Sequence, residues 1–237
     1  MAKLAARSRQ EEQMDAPDLD PAIYERVLHD LARVNRWTFT AWPAKAFLGR
    51  VIGSAKRFSL LDVGFGDGDI LRAIAGWAQR RGIEAQLVGV DLNAKSLNAA
   101  RNATPPELSI DYRIGDYLDQ PERFDFIISS QVTHHMTDAQ LMMFLRHMES
   151  NARRGWFICD LHRHGFAHWG YPLLARLLRV HRIVREDGQL SIARSFRPQE
   201  WRDLVQQAGI APDQVRIVRR FAFRLCVERV RDVPFNP

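Results

Sequence analysis

The chain has 237 residues, 46% hydrophobic and 26% charged, the balance of one folded domain with an added cap rather than of a disordered or fibrous chain. Its net charge of +6 comes mainly from scattered arginines, so no dedicated nucleic-acid surface is expected. No apolar run is long enough to span a bilayer, the N-terminus lacks a signal-peptide core, and Glu11, Glu12 and Asp15 argue against a transit peptide.

The two cysteines, Cys159 and Cys226, each fall in an apolar strand-like run and read as reduced core thiols, which fits a cytoplasmic protein. Residues 1–18 are polar and aperiodic and are predicted to be a disordered tail. Asp20 followed by Pro21 is a helix start, and Ile23, Tyr24, Val27, Leu28, Leu31, Ala32 and Val34 keep helical spacing to about Asn35. A second helix is predicted from about Ala44 to Ile52, after Trp42-Pro43. Residues 19–57 therefore form a helical N-terminal segment ahead of the main domain, 58–237.

The apolar run Ser59 to Val63 is a short buried strand. It leads into Gly64-Phe65-Gly66-Asp67-Gly68, and a helical pattern then starts at Asp69 with Ile70, Leu71, Ile74, Trp77 and Ala78 on one face. Glycines without Cβ atoms let such a turn come close to a ligand. The second strand, Gln86 to Val90, ends in Asp91, an acidic residue placed to bind ribose hydroxyls. Asp67 and Asp69 stand where a pyrophosphate would approach, and they favour a cationic or zwitterionic ligand over a dinucleotide.

This D-x-G-x-G-x-G turn resembles motif I of the class I S-adenosylmethionine-dependent methyltransferases, and Val88-Gly89-Val90-Asp91-Leu92 resembles the segment that follows it. The likeness is clear over about residues 58–160. It implies an α/β, Rossmann-like, seven-stranded and mostly parallel sheet with an antiparallel last strand, helices on both faces and S-adenosylmethionine as cofactor. It implies cofactor contacts from Asp62, Gly64, Gly66, Gly68, Asp91, Leu92 and Ser130. An acidic residue after the third strand would take the adenine amino group, which points to Asp116 with Tyr117 beside the base. An N-terminal extension in such proteins covers the site, so residues 19–57 are expected to be a cap, with Arg36, Trp37 and Trp42 near the substrate.

Further along, a helix from about Ala94 to Asn102 precedes a strand from Ser109 to Ile114, and a central strand runs from Phe124 to Ser130. Its end carries Thr133-His134-His135, and Thr137 or Asp138 caps a helix to about Ser150. The fifth strand, Trp156 to Cys159, ends at Asp160. An insertion at 161–197 follows as a lid, helical over Trp169 to Val180, with Glu186-Asp187-Gly188-Gln189 read as a hairpin turn. A helix from Pro198 to Ala208 and strands Val215 to Phe221 and Ala222 to Val230 close the chain.

Methyl transfer to a phenol or alcohol requires a general base. His134 and His135, oriented by Asp160, are the catalytic candidates, His135 slightly preferred, with His162 and His164 as backups near the substrate alongside Trp169. Adjacent histidines in a strand-end loop usually diverge, and the Asp/Asn cluster of metal-dependent catechol O-methyltransferases is not evident. No metal is therefore expected. The implied activity is methylation of a hydroxyl on a hydrophobic, phenolic small molecule, with C-methylation of an aromatic or polyketide-type acceptor as the alternative, or an idle cofactor-binding module. The expected partner is a small-molecule acceptor, with no nucleic acid and no membrane, in a monomer or homodimer.

Overall fold

A computed structural model of the chain describes residues 4–231; residues 1–3 of the predicted tail and residues 232–237 lie outside that range. Seven strands form one sheet: β1 (Arg57–Val63), β2 (Glu84–Asp91), β3 (Asp111–Ile114), β4 (Phe124–Ser130), β5 (Ala152–Leu161), β6 (Val215–Arg220) and β7 (Arg224–Val230). Their order is β3-β2-β1-β4-β5-β7-β6. β1 pairs in parallel with β2 and β4, whereas β7 runs antiparallel to both β5 and β6. Strand order therefore reverses between β1 and β4, and the final strand lies beside the fifth as the resemblance implied.

Alternation along the strands loads both faces of the sheet. Leu61, Val63 and Ile127 pack with Leu141, Phe144 and Leu145 of α5 (Asp138–Asn151) and Trp201 of α8 (Pro198–Gln207). The intervening residues Leu60, Phe126 and Ile128 face Phe47 and Leu48 of α2 (Ala41–Val51) and Leu71 and Ile74 of α3 (Asp69–Gln79). Cys159 and Cys226 are directly opposed across β5 and β7 and are buried free thiols.

Register decides where chemistry can sit. Val63 pairs with Val90 and Ser129, and Ser130 with Cys159, so Gly64, Asp91, Gln131 and Asp160 all emerge along one edge of the sheet. Over that edge lie α1 (Pro21–Trp37), α6 (Gly165–Leu177) and α7 (Arg182–Arg194), held by their own apolar cluster of Val27, Val34, Ala175, Ile183 and Val184. α4 (Ala94–Ala103) supports α1 through a 3.0 Å contact between Tyr24 Oη and Ser96 Oγ. Asp20 caps α1 by accepting the N–H groups of Ala22 and Ile23. Among the described residues no helix is long and apolar enough to cross a membrane.

Two sequence expectations fail here. Glu186-Asp187-Gly188-Gln189 is not a hairpin but the middle of helix α7. Gly188 is small because Tyr171 of α6 packs over it; a Cβ there would lie 2.2 Å from the tyrosine ring. Asp187 is polar because its carboxylate accepts the N–H groups of Gln13 and Met14. The second failure follows directly. Residues 4–18 form no free tail: they run along α7 and end in a short 3-10 turn at Gln13–Asp15. Ser8 N–H donates to the Ala193 carbonyl, and Arg7 donates to the carbonyls of Arg194 and Met136 and to Asp138. These bonds are non-local, so no periodicity in residues 4–18 could have signalled them.

Candidate active site

The turn after β1 is shaped by what sits against it. Gly64 has φ +80°, and a Cβ would meet Val132 at 2.4 Å; Gly68, at φ +79°, would strike the Tyr112 hydroxyl. Both therefore require glycine on conformational and steric grounds. The Gly66 N–H donates to Asp91 Oδ2 at 2.9 Å, and the Asn93 N–H donates to Asp91 Oδ1 at 2.8 Å. Asp91 thus ties the ends of β1 and β2 together, and burial raises its pKa.

These residues open on a cavity of about 650 Å³ at the strand ends. Asp62, Asp67, Asp69 and Asp91 all line it. Asp67 is paired with Arg72 at 3.0 Å. Asp69 accepts from Asn35 of α1 at 3.0 Å, and burial, followed by repulsion from Asp67, raises it to about 6. Asp62 is deeply buried, its Oδ1 has no hydrogen-bond partner among the described residues, and desolvation pushes it well above the ordinary carboxylate range. Four carboxylates at this end of the pocket, one with an unpartnered oxygen, repel a pyrophosphate and suit a ligand carrying cationic groups.

Leu92, Tyr117 and Ser130 line the same cavity, as does Gly115. Gly68 shapes the turn from outside the lining. Asp116 is not among the lining residues: its carboxylate accepts the Leu118 N–H and caps the short turn that follows. Tyr117 reaches the cavity with its ring against Phe144 and His147.

At the other end of the cavity lies the histidine pair. His134 Nδ1 is 2.7 Å from Asp160 Oδ1, and Asp160 Oδ2 accepts the His134 N–H at 2.9 Å and the Thr133 hydroxyl. Asp160 is fully buried and does not line the cavity; it acts through His134. Burial opposes its charge, yet His134 and these hydrogen bonds hold its pKa down to about 2. Burial likewise opposes a charged His134, but Asp160 and then Glu12 outweigh it and raise the imidazole to about 10.

Glu12 and Asp15 come from the N-terminal strap. His134 Nε2 is 3.5 Å from Glu12 Oε1; His135 Nε2 is 3.9 Å from Glu12 Oε2, and its Nδ1 is 2.8 Å from Asp15 Oδ2. The two rings lie 4.3 Å apart and both line the cavity, so they converge rather than diverge. Burial works against the Glu12 carboxylate, but His134, His135 and Arg194 lower its pKa.

The predicted substrate residues do not line the cavity. Trp37, Trp42 and Trp169 are 63%, 50% and 68% exposed, and Trp42 packs under the Arg220 guanidinium. His162 is buried, and its pKa falls to about 4 through desolvation and neighbouring positive charge, His164 first. His164 accepts the Phe166 N–H as the cap of α6. The apolar lining comes instead from Tyr24, Leu28 and Leu31 of α1, Tyr171 and Leu174 of α6, and Ile192 of α7.

Sequence reasoning also missed Glu12, Asp15, Asn35 and Gln131. Asn35 Oδ1 accepts from Gln131 at 2.9 Å while its amide reaches Asp69, so it pins α1 over the cavity. A polar residue four positions after Leu31, on the buried stripe of α1, was the available signal. Glu12 and Asp15 carried none.

Residues 60–155 match the family model described as a methyltransferase domain. Those residues of the chain carry a methyltransferase domain. A ubiquinone biosynthesis O-methyltransferase of Bartonella quintana is 28% identical over 159 residues, 65% of this chain and 61% of that protein. This chain thus spans less than two thirds of that relative's length. Among solved structures, an S-adenosylmethionine-dependent methyltransferase of Aquifex aeolicus superposes with TM-score 0.60 at 17% identity, over 90% of this chain and 98% of that one. An O-methyltransferase from neocarzinostatin biosynthesis, solved with S-adenosylhomocysteine and 1,4-dihydroxy-2-naphthoic acid, gives 0.63 at 18%, over 89% and 59%. The carboxylate-lined end of the cavity fits the sulfonium and ammonium charges of S-adenosylmethionine.

Proposed function

We propose that this chain methylates a hydroxyl group on a hydrophobic, phenolic small molecule. One observation carries the reading: a single apolar cavity has carboxylates suited to a cationic cofactor at one end and a carboxylate-braced histidine pair at the other. Bound, S-adenosylmethionine supplies a methyl group on a sulfonium for in-line displacement. The protein aligns the acceptor oxygen with that methyl at about 3 Å and manages one proton.

Asp62, Asp69 and Asp91 are the residues proposed to hold the cofactor, with Asp91 on the ribose and Tyr117 beside the adenine. His134, raised to about 10, is an imidazolium at neutral pH in the metal-free protein and stabilises a developing oxyanion rather than accepting its proton. His135, partly exposed with Nδ1 held by Asp15, is the proposed base. The Tyr24, Leu28 and Tyr171 lining supports an acceptor with a flat apolar body.

The curated relative acts in ubiquinone biosynthesis and a structural neighbour was solved with a dihydroxynaphthoic acid, both consistent with a phenolic acceptor. The test is turnover of the full chain with a panel of phenols and catechols, read by mass for the gain of one methyl. Carbon NMR of a labelled methyl separates an O-methyl product from a C-methyl one. A C-methyl product overturns the hydroxyl assignment, and no methylated product from any phenol overturns the acceptor class.

A further inference from the structure

The Glu12, His134 and His135 side chains do more than face one another. One ligand-capable atom from each lies within 4.8 Å of the other two. The Glu12 carboxylate is 3.5 Å from His134 Nε2 and 3.9 Å from His135 Nε2. Bonds of roughly 2.0–2.1 Å to a tetrahedral zinc ion would set such atoms about 3.3 Å apart, so the three side chains must draw together by at most about 1.5 Å, within the reach of rotation about their side-chain bonds.

The second half of the arrangement is on the far side of each ring. His134 gives its Nδ1 to Asp160 at 2.7 Å, and His135 gives its Nδ1 to Asp15 at 2.8 Å. A carboxylate on Nδ1 fixes the neutral tautomer with Nδ1–H, leaving the Nε2 lone pair free; this is how metal-ligating histidines are oriented and made more basic. Here both Nε2 atoms are turned toward the same carboxylate.

Charge gives an independent argument. Three carboxylates, Glu12, Asp15 and Asp160, surround two imidazoles, with Arg194 at 3.7 Å from Glu12 as the neighbouring permanent cation and Ser191 donating to Glu12 Oε1. The three carboxylates outnumber that permanent cation, and the two rings that face them lie 4.3 Å apart. A divalent ion satisfies the carboxylates and uses both lone pairs. Glu12, Asp15 and both histidines line the cavity, so coordination positions remain open toward the acceptor.

We propose that Glu12, His134 and His135 bind a first-row divalent cation of the zinc type, with Asp15 and Asp160 as the orienting carboxylates. Two imidazoles favour such an ion over magnesium or calcium, which prefer oxygen ligands. This rests on the methyl-transfer reading for its role and changes two parts of it: His134 becomes a neutral ligand rather than a cationic stabiliser of the oxyanion, and His135 a ligand rather than the base. The acceptor O–H, polarised by the cation, loses its proton to solvent water; its oxygen bonds to the methyl carbon as the carbon–sulfur pair returns to sulfur.

The experiment uses the full chain, stripped with chelator, and titrates Co²⁺ by its visible ligand-field bands and Zn²⁺ by calorimetry, at fixed pH. One equivalent per chain is expected, with visible bands of low coordination number. Glu12→Gln, His134→Gln and His135→Gln should each weaken binding at least 100-fold, and Asp15→Asn about 10-fold. His162→Gln should leave it unchanged. S-adenosylmethionine affinity, measured on every variant, reports that the fold survives.

Absence of stoichiometric uptake by the wild-type chain, or equal uptake by the cluster variants, overturns the site. A chelated enzyme that methylates phenols at full rate overturns the catalytic role of the ion while sparing the methyl-transfer reading. Stoichiometric binding that depends on these residues, without turnover of any phenol, supports the site and sinks that reading instead.

Discussion

The two ends of the cavity are built in opposite ways. The carboxylate end comes from one short stretch, Asp62 to Asn93, in which a strand, a glycine turn, a helix and a second strand bring Asp62, Asp69 and Asp91 together. The histidine end draws on Glu12 and Asp15, His134 and His135, Asp160 and Arg194, joined by contacts between residues 26, 60 and 120 positions apart. The first is preorganised by backbone hydrogen bonds within the sheet. The second exists only once the N-terminal strap has docked on α7 and on the loop after β4. On the proposed function, a local motif holds the cofactor and long-range packing builds the site that meets the methyl group.

The comparison breaks most visibly at the histidines. Replacing His134 and His135 together by Gln should lower turnover about 10²- to 10⁴-fold while cofactor affinity stays within a few-fold, measured by steady-state kinetics and calorimetry. His134→Gln also leaves Asp160 as a buried unpaired charge and should cost about 3–5 kcal/mol of stability in denaturant titration. The sign of the pH dependence follows from the pair. His134, raised from 6.5 to about 10, favours the folded state fully below pH 6.5 and loses that contribution as pH climbs through 10. Asp160, lowered from 3.8 to about 2, contributes above pH 3.8 and loses it as pH falls through 2.

At the other end, Asp91→Ala should weaken S-adenosylmethionine binding roughly 100-fold, because it removes the ribose contact and strands the Gly66 and Asn93 N–H groups. Affinity within twofold of wild type would break the placement of the ribose. A smaller effect sharpens the electrostatic part. Asp69 is held near pKa 6, so binding of the cationic cofactor should tighten several-fold as pH rises from 5 to 7, and Asp69→Asn should flatten that rise. Smallest of all, Gly188→Ala should lower stability by about 1–3 kcal/mol through the clash with Tyr171, while Trp37→Ala and Trp42→Ala should leave turnover unchanged.

The same contrast explains what could be read from the sequence. The strand ends, the glycine turn and Asp91 follow from periodicity and from residues within a few positions of one another, whereas the pairing of Asp160 with a histidine 26 positions earlier follows from the adjacency of the fourth and fifth strands. Which histidine of the pair meets Asp160 was not legible: it is His134, because which ring turns toward β5 is set by tertiary packing. The tryptophans misled for a related reason: aromatic residues were expected to line the pocket, but the buried stripe of α1 runs Tyr24, Val27, Leu28, Leu31, Val34 and leaves Trp37 outside it. The residues 186–189 have turn-like composition only because Asp187 and Gly188 answer to partners 174 and 17 positions away, Gln13 and Tyr171.

The central claim, that the crevice at the strand ends belongs to S-adenosylmethionine, is tested most directly by calorimetric titration of the full chain with that cofactor and, separately, with NAD. The account predicts one S-adenosylmethionine per chain, lost in Asp91→Ala, with no heat from NAD. Binding of NAD in preference to S-adenosylmethionine would contradict it.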